Sequence, residues 1–211
     1  MSLGLYPILD VGPRTPPEAA PALAAAYLQG GARLLQLRAK TLAARPFLEL
    51  ARALVPLVHR AGGRLIINDR PDLAWMAEAD GVHLGQDDLP AEAVRPWLPA
   101  KMIIGVSCHN EVDLLAVANA GVADYCGYGP IFPTGSKANP DPVVGLPGLA
   151  AAVKAFPGLP LVAIGGLTRQ NLTEVAATGV SGAALIADLL AGPDPTAACR
   201  EAVAAFMVKP R

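Results

Sequence analysis

Short runs of apolar residues alternate along this chain with segments whose apolar positions recur at helical spacing, the pattern of buried strands joined by amphipathic helices. Residues 65–67 and 82–84 are two such runs. Each delivers polar residues at its C-terminal end, Asn68 and Asp69 after the first and Gln86, Asp87 and Asp88 after the second. The same reading predicts strands over 5–9, 33–38, 102–107, 124–129, 161–164 and 182–186. Helices are expected between them, from Thr15 or Pro16 to Gln29 and from Pro46 to Arg60, with a kink or early end at Pro56. Further helices are expected from Pro71, from Pro90, over 111–119, over 146–156, from a Thr168 cap to Thr178, and from Asp194 or Thr196 to Met207. Gly30-Gly31, Gly62-Gly63 and Gly121 supply the stops. The longest connection, 130–145, is a loop rich in Pro, Gly, Ser and Thr.

Eight strand–helix alternations with mostly short connections require a parallel sheet with helical crossovers. They fit a single-domain (β/α)8 TIM barrel over residues 1–211, lean against the ~250 residues usual for that fold. An open doubly wound sheet is the rival, disfavoured because no G-x-G-x-x-G opens the first helix. Pro and Gly, 21 of each, are dispersed as punctuation and form no linker, which also favours one domain.

Composition narrows the picture in two respects. A formal charge of −1 gives no reason to expect nucleic acid or an anionic membrane as partner, so an anionic ligand would need a local cluster of cations. Three cysteines, Cys108, Cys126 and Cys199, are an odd number without C-x-x-C spacing, which fits a reducing compartment. With neither a basic-then-apolar leader nor an uninterrupted apolar span, the expectation is a soluble cytoplasmic protein.

The chemistry-bearing residues gather where the strands end. Gln36, Arg38 and Lys40 alternate at the end of the second strand, so their side chains leave one face. Asn68-Asp69 ends the third, Gln86-Asp87-Asp88 the fourth, and Ser107 the fifth, with His109 just beyond. Thr134, Gly135, Ser136 and Lys137 follow the sixth strand, Gly165-Gly166 the seventh, and Ile186-Ala187 the eighth. In a barrel this is the active-site mouth. Singly, Asp69 and Asp88 are as readily helix caps as ligands. Two acidic strand ends on neighbouring strands shift the balance toward a hard cation, Mg²⁺. His83, inside a strand, reads as a hydrogen-bonded barrel residue and Cys108 as packing. Glycine-rich backbone after strand seven, with Ile186-Ala187 after strand eight, matches the recurrent barrel phosphate site. A diphosphate with its metal at one place and a monophosphate at the other would use this whole set. Nothing resembles a nucleophilic triad, a Schiff-base lysine or a redox site.

The runs Q-L-R-A-K (36–40), I-I-N-D-R (66–70), A-D-G-V-H-L-G-Q-D-D (79–88), I-G-V-S-C-H (104–109), G-P-I-F-P-T-G-S-K (129–137) and V-A-I-G-G-L-T (162–168) resemble, in order, the motifs of the thiamine-phosphate synthase family. The resemblance implies a barrel enzyme that joins a hydroxymethylpyrimidine diphosphate to a thiazole phosphate and releases diphosphate through a carbocation. It implies pyrimidine-diphosphate contacts from Gln36, Leu37, Arg38, Ala39, Lys40, Asn68, Ser107 and Lys137. Arg38, Lys40, Ser107 and Lys137 would be the catalytic side chains, with Mg²⁺ on Asp69 and Asp88. Thiazole phosphate would meet Thr134, Gly135, Ser136, Gly166, Ile186 and Ala187. The partners implied are these two small phosphorylated substrates, and a homo-oligomer is admitted. Two positions depart from the family pattern: Ser136 stands where it has Thr, and Ala187 where it usually has Ser. The second removes a hydroxyl from the expected phosphate site and implies weaker thiazole-phosphate binding or a shifted substrate form. A related thiazole tautomerase, with His109 as acid/base, and a non-catalytic barrel sensing phosphometabolites are the competing readings. The paired acids favour the synthase over both.

Overall fold

Each apolar run forms a strand, and among the described residues the strands close in chain order into a parallel barrel. The computed structural model describes residues 3–134 and 142–208. The strands are β1 (Gly4–Asp10), β2 (Leu34–Arg38), β3 (Arg64–Asn68), β4 (Gly81–Leu84), β5 (Ile103–Cys108), β6 (Tyr125–Tyr128), β7 (Leu161–Ala163) and β8 (Gly182–Leu185). The helices are α1 (Ala20–Gln29), α2 (Ala44–Arg60), α3 (Pro71–Met76), α4 (Ala91–Val94), α5 (Glu111–Ala120), α6 (Gly145–Ala155), α7 (Leu172–Ala177) and α8 (Pro195–Met207). β1 pairs with both β2 and β8, which closes the ring. The (β/α)8 expectation holds, and the open-sheet alternative is excluded.

Strand alternation divides the core in two. Leu9, Leu35, Leu37, Leu65, Ile67, Val82, Leu84 and Ile104 point outward and pack under the helical shell. Tyr6, Ile8, Leu34, Ile66, Tyr125, Val162 and Ala184 point inward and fill the barrel itself. Gly105 matters here: paired with Tyr125 across β5 and β6, it leaves the space that the Tyr125 ring takes up, and a β-carbon there would overlap that ring.

Several helix boundaries differ from expectation. Thr15 makes a two-way backbone bridge with Gly12, and a 3₁₀ turn, Pro17–Ala19, precedes α1, so the helix starts later than Thr15 or Pro16. α2 starts at Ala44 and runs unbroken through Pro56 to Arg60; the proline does not shorten it. What the helix loses there is the N–H that would bond four residues back. Thr168 does not cap α7. Its own N–H is taken by Asn171 Oδ1 at 2.9 Å, and α7 begins at Leu172.

Candidate active site at the C-terminal mouth

Inside the barrel the polar residues satisfy one another. Gln36, at 2% exposure, donates through Nε2 to Tyr6 Oη at 3.0 Å. Tyr6 Oη lies 2.8 Å from Tyr125 Oη, the rings meeting edge to face at 5.9 Å. Tyr125 Oη is 2.9 Å from His83 Nδ1, and His83 Nε2 is 3.0 Å from Ser107 Oγ. Burial lowers the His83 pKa to about 4 and outweighs the opposing pull of the Asp88 carboxylate, so the ring is neutral at pH 7. Burial, with Tyr6 beside it, also raises the Tyr125 phenol. His83 is thus the hydrogen-bonded barrel residue expected. Its tie to Ser107 and the two tyrosines were not foreseen.

One layer higher, charges line the rim. Arg38 pairs with Asp10, its registered neighbour across β1 and β2. Asp10 was missed, although it ends its apolar run as Asp69 ends another. Lys40 Nζ stands 3.4 Å from Asp69 Oδ2. Asp69 adopts φ 63°, and around it the Arg70 N–H bonds the Asn68 carbonyl at 2.8 Å, a γ-turn. Asp69 caps nothing: Arg70 holds the N-cap position of α3. Asp88 accepts the Gly85 N–H at 2.6 Å, and Pro90, not Asp88, precedes α4. The Asp69 carboxyl is raised, first by burial and then by the Asp88 carboxyl within hydrogen-bond reach, while Lys40 opposes the shift. A cleft of about 170 Å³ opens beside it, lined by Ala39, Lys40, Leu42, Phe47, Asn68, Asp69 and Arg70.

The two carboxyls have the chemistry of a donor set for a hard cation. Among the described residues no group of three or more His, Cys, Asp or Glu side chains converges. An ion there would complete its shell with water and ligand oxygens, which Mg²⁺ does readily. Burial and, after it, the neighbouring Asp88 carboxyl hold the Asp69 pKa up, and a divalent ion bound between the two would relieve both.

Across the mouth, Gly165 and Gly166 turn with φ 93° and 66°. A β-carbon on Gly166 would lie 2.6 Å from Phe132 Cβ and 2.7 Å from the Pro133 carbonyl, so the close approach of the two loops requires glycine. After β8, Ile186 leads into a 3₁₀ turn, Ala187–Leu190, whose opening N–H groups lack an acceptor within the turn. Asp188 accepts both the Arg169 N–H (3.1 Å) and its Nε–H (2.9 Å), tying the β8 turn to the β7 loop. Thr134 lies at the end of the segment after β6; Gly135, Ser136 and Lys137 lie outside the described residues. Leu37 and Ala39 are buried beneath the rim, leaving their backbone as what they offer the site. His109 is tethered to the start of α5, its N–H on Asp113 Oδ2 at 2.7 Å.

The fold and this rim define a (β/α)8 barrel with an acidic pair and cations gathered at the catalytic mouth. The model of the thiamine monophosphate synthase family matches residues 5–189, and the chain belongs to that family. It is 43% identical over 174 residues to the thiamine-phosphate synthase of Methanospirillum hungatei, covering 82% of this chain and 84% of that one. To the thiamine-phosphate synthase of Koribacter versatilis it is 45% identical over 196 residues, 90% of each chain. A solved thiamine phosphate pyrophosphorylase from Pyrococcus furiosus superposes with a TM-score of 0.86 at 33% identity, covering 98% of both chains.

Proposed function

We propose that this chain is a thiamine-phosphate synthase, a transferase that joins a hydroxymethylpyrimidine diphosphate to a thiazole phosphate and releases diphosphate. Family membership supports the reaction. The observation that carries the site is the Asp69–Asp88 carboxyl pair beside Lys40, with Arg38 on the same rim.

The reaction suits a site built for charge. Breaking the bond to diphosphate leaves a carbocation stabilised by the aminopyrimidine ring, which the thiazole nitrogen then captures. Negative charge grows on the leaving group, so preorganised cations there lower the barrier more than they tighten substrate binding. Arg38, oriented by Asp10, and Lys40 serve that purpose, joined by Lys137. Gln36, Asn68 and Ser107 hold the pyrimidine, with the backbone at Leu37 and Ala39 against the diphosphate. Thr134, Gly135, Ser136, Gly166, Ile186 and Ala187 hold the thiazole phosphate. Asp69 and Asp88 would hold Mg²⁺, which when bound supplies charge neutralisation to the diphosphate.

Among the described residues no helix is long and apolar enough to cross a membrane. The three cysteines are free and buried, which supports a reducing, cytoplasmic setting. Incubation with both phosphorylated substrates and Mg²⁺ is expected to yield thiamine phosphate and free diphosphate in equal amounts. Isomerisation of the thiazole phosphate alone, without coupling, would overturn the reading in favour of a tautomerase.

A further inference from the structure

The polar groups inside the barrel form one chain through five strands, Gln36 on β2, Tyr6 on β1, Tyr125 on β6, His83 on β4 and Ser107 on β5. Counting hydrogens gives it a direction. A phenol has one proton and a neutral imidazole has one N–H. The Gln36 amide donates to Tyr6, so the Tyr6 hydrogen goes to its other neighbour, Tyr125. The Tyr125 hydrogen then goes to His83 Nδ1. With Nδ1 accepting, the neutral ring carries its hydrogen on Nε2 and donates to Ser107 Oγ. The reverse direction would leave the buried Tyr6 hydroxyl with a hydrogen and no acceptor, which native interiors avoid. Ser107 is also held from the mouth side, where Gln86 Nε2 donates to its backbone carbonyl.

We infer that this chain fixes the polarity of Ser107, whose hydroxyl accepts from inside the barrel and donates its own hydrogen toward the mouth. Tyr125 and His83 are therefore positioning residues. What Ser107 meets on a bound ligand is an acceptor, a phosphate oxygen or an unprotonated ring nitrogen, and not an amino group. An isolated serine hydroxyl rotates among partners; this one is set before the ligand arrives, as electrostatic preorganisation requires. The identity of the ligand rests on the synthase reading. The polarity does not.

The test is ¹⁵N-resolved NMR of the histidine rings in the full chain without ligand. The chain has three histidines, so His59→Gln and His109→Gln assign the His83 signals by elimination. The expected result is the Nε2–H tautomer at neutral pH, kept in Tyr6→Phe, where Tyr125 retains its hydrogen. In Tyr125→Phe the Nδ1–H form should grow and kcat should fall about tenfold. In a Ser107→Ala background the same Tyr125→Phe change should then add less than about twofold, because the two act through one bond. An Nδ1–H or doubly protonated His83 in the wild type would overturn the inference, as would multiplying effects of Tyr125→Phe and Ser107→Ala. The wild-type spectrum decides the polarity even if Tyr125→Phe does not fold. An Nε2–H ring in a protein without coupling activity would sink the functional reading and leave the polarity standing.

Discussion

Asp69 combines backbone strain with charge strain. It is one of two non-glycine residues with positive φ among those described, and its carboxyl is pushed up by burial and by Asp88. Such outliers persist where the surroundings enforce them, here the Asp69 N–H on the His83 carbonyl at 2.8 Å and the γ-turn beyond it. Asn tolerates the left-handed region as well as Asp, so Asp69→Asn removes the charge without new backbone strain. Turnover should fall by ~10²-fold or more through lost charge stabilisation at the diphosphate. Metal-free stability should move the other way. A carboxyl whose folded pKa is raised contributes stability that is full below its unfolded value, near pH ~4, and is lost as pH rises through the folded value. The variant escapes that loss, so its melting temperature should gain on the wild type as pH rises above ~4 and match it below. Added Mg²⁺ should stabilise the wild type more than the variant. A variant less stable than the wild type at every pH would refute the repulsive pair. That acids end apolar runs at 69 and 88 was legible in the sequence, and the same rule would have found Asp10. The contact of His83 with Ser107 was not legible, because it depends on the stagger of strands around the closed barrel.

The loops after β7 and β8 act as one element. Asp188 clasps Arg169 through backbone and guanidinium, and Arg169 reaches on to Glu201 of α8 at 2.7 Å. The glycine pair was readable as a turn from sequence, but the clasp and the 3₁₀ turn after β8 were not. Local spacing says nothing of a partner nineteen residues away. Thr168 shows the same limit: it has the chemistry of a cap, yet Asn171 takes its N–H and moves the helix start. Strands were read almost to the residue because alternation and burial agree along each of them. Helix starts drifted because several nearby side chains compete to end a loop. Ala187 opens the 3₁₀ turn and is exposed at the mouth. Ala187→Ser should therefore lower the KM for thiazole phosphate about tenfold, the scale of one hydrogen bond to a charged group, with kcat little changed. Titrating thiazole phosphate at saturating pyrimidine diphosphate checks this. An unchanged KM would mean that backbone N–H groups alone set phosphate affinity.

At the scale of the whole molecule, acidic residues sit at both rims of the barrel and do different work. At the mouth Asp69 and Asp88 face each other. At the opposite rim Asp80 and Asp124 each spend a carboxylate on the N–H of a strand's second residue. Asp80 Oδ2 accepts from Leu65 N at 2.8 Å, with His59 Nε2 at 2.9 Å. Asp124 Oδ2 accepts from Ile104 N at 2.7 Å and from Arg95 Nη2 at 2.8 Å, and Arg95 also donates to the Met102 and Val122 carbonyls. These clamps join neighbouring strands where no loop of the active site reaches, so by barrel logic they serve stability. Asp124→Ala should leave the Ile104 N–H and the Arg95 guanidinium short of a partner and cost ~1–2 kcal/mol, discounted because Asp124 is half exposed. For a domain this long that is a fall of roughly 2–8 °C in melting temperature. At a temperature where the variant stays folded, kcat/KM should equal the wild-type value. Asp69→Asn is the mirror image, with activity lost and the metal-free fold kept. A fall in kcat/KM for Asp124→Ala comparable to that for Asp69→Asn would mean that the two rims are coupled through the barrel, and that the tyrosine–histidine chain between them transmits more than polarity.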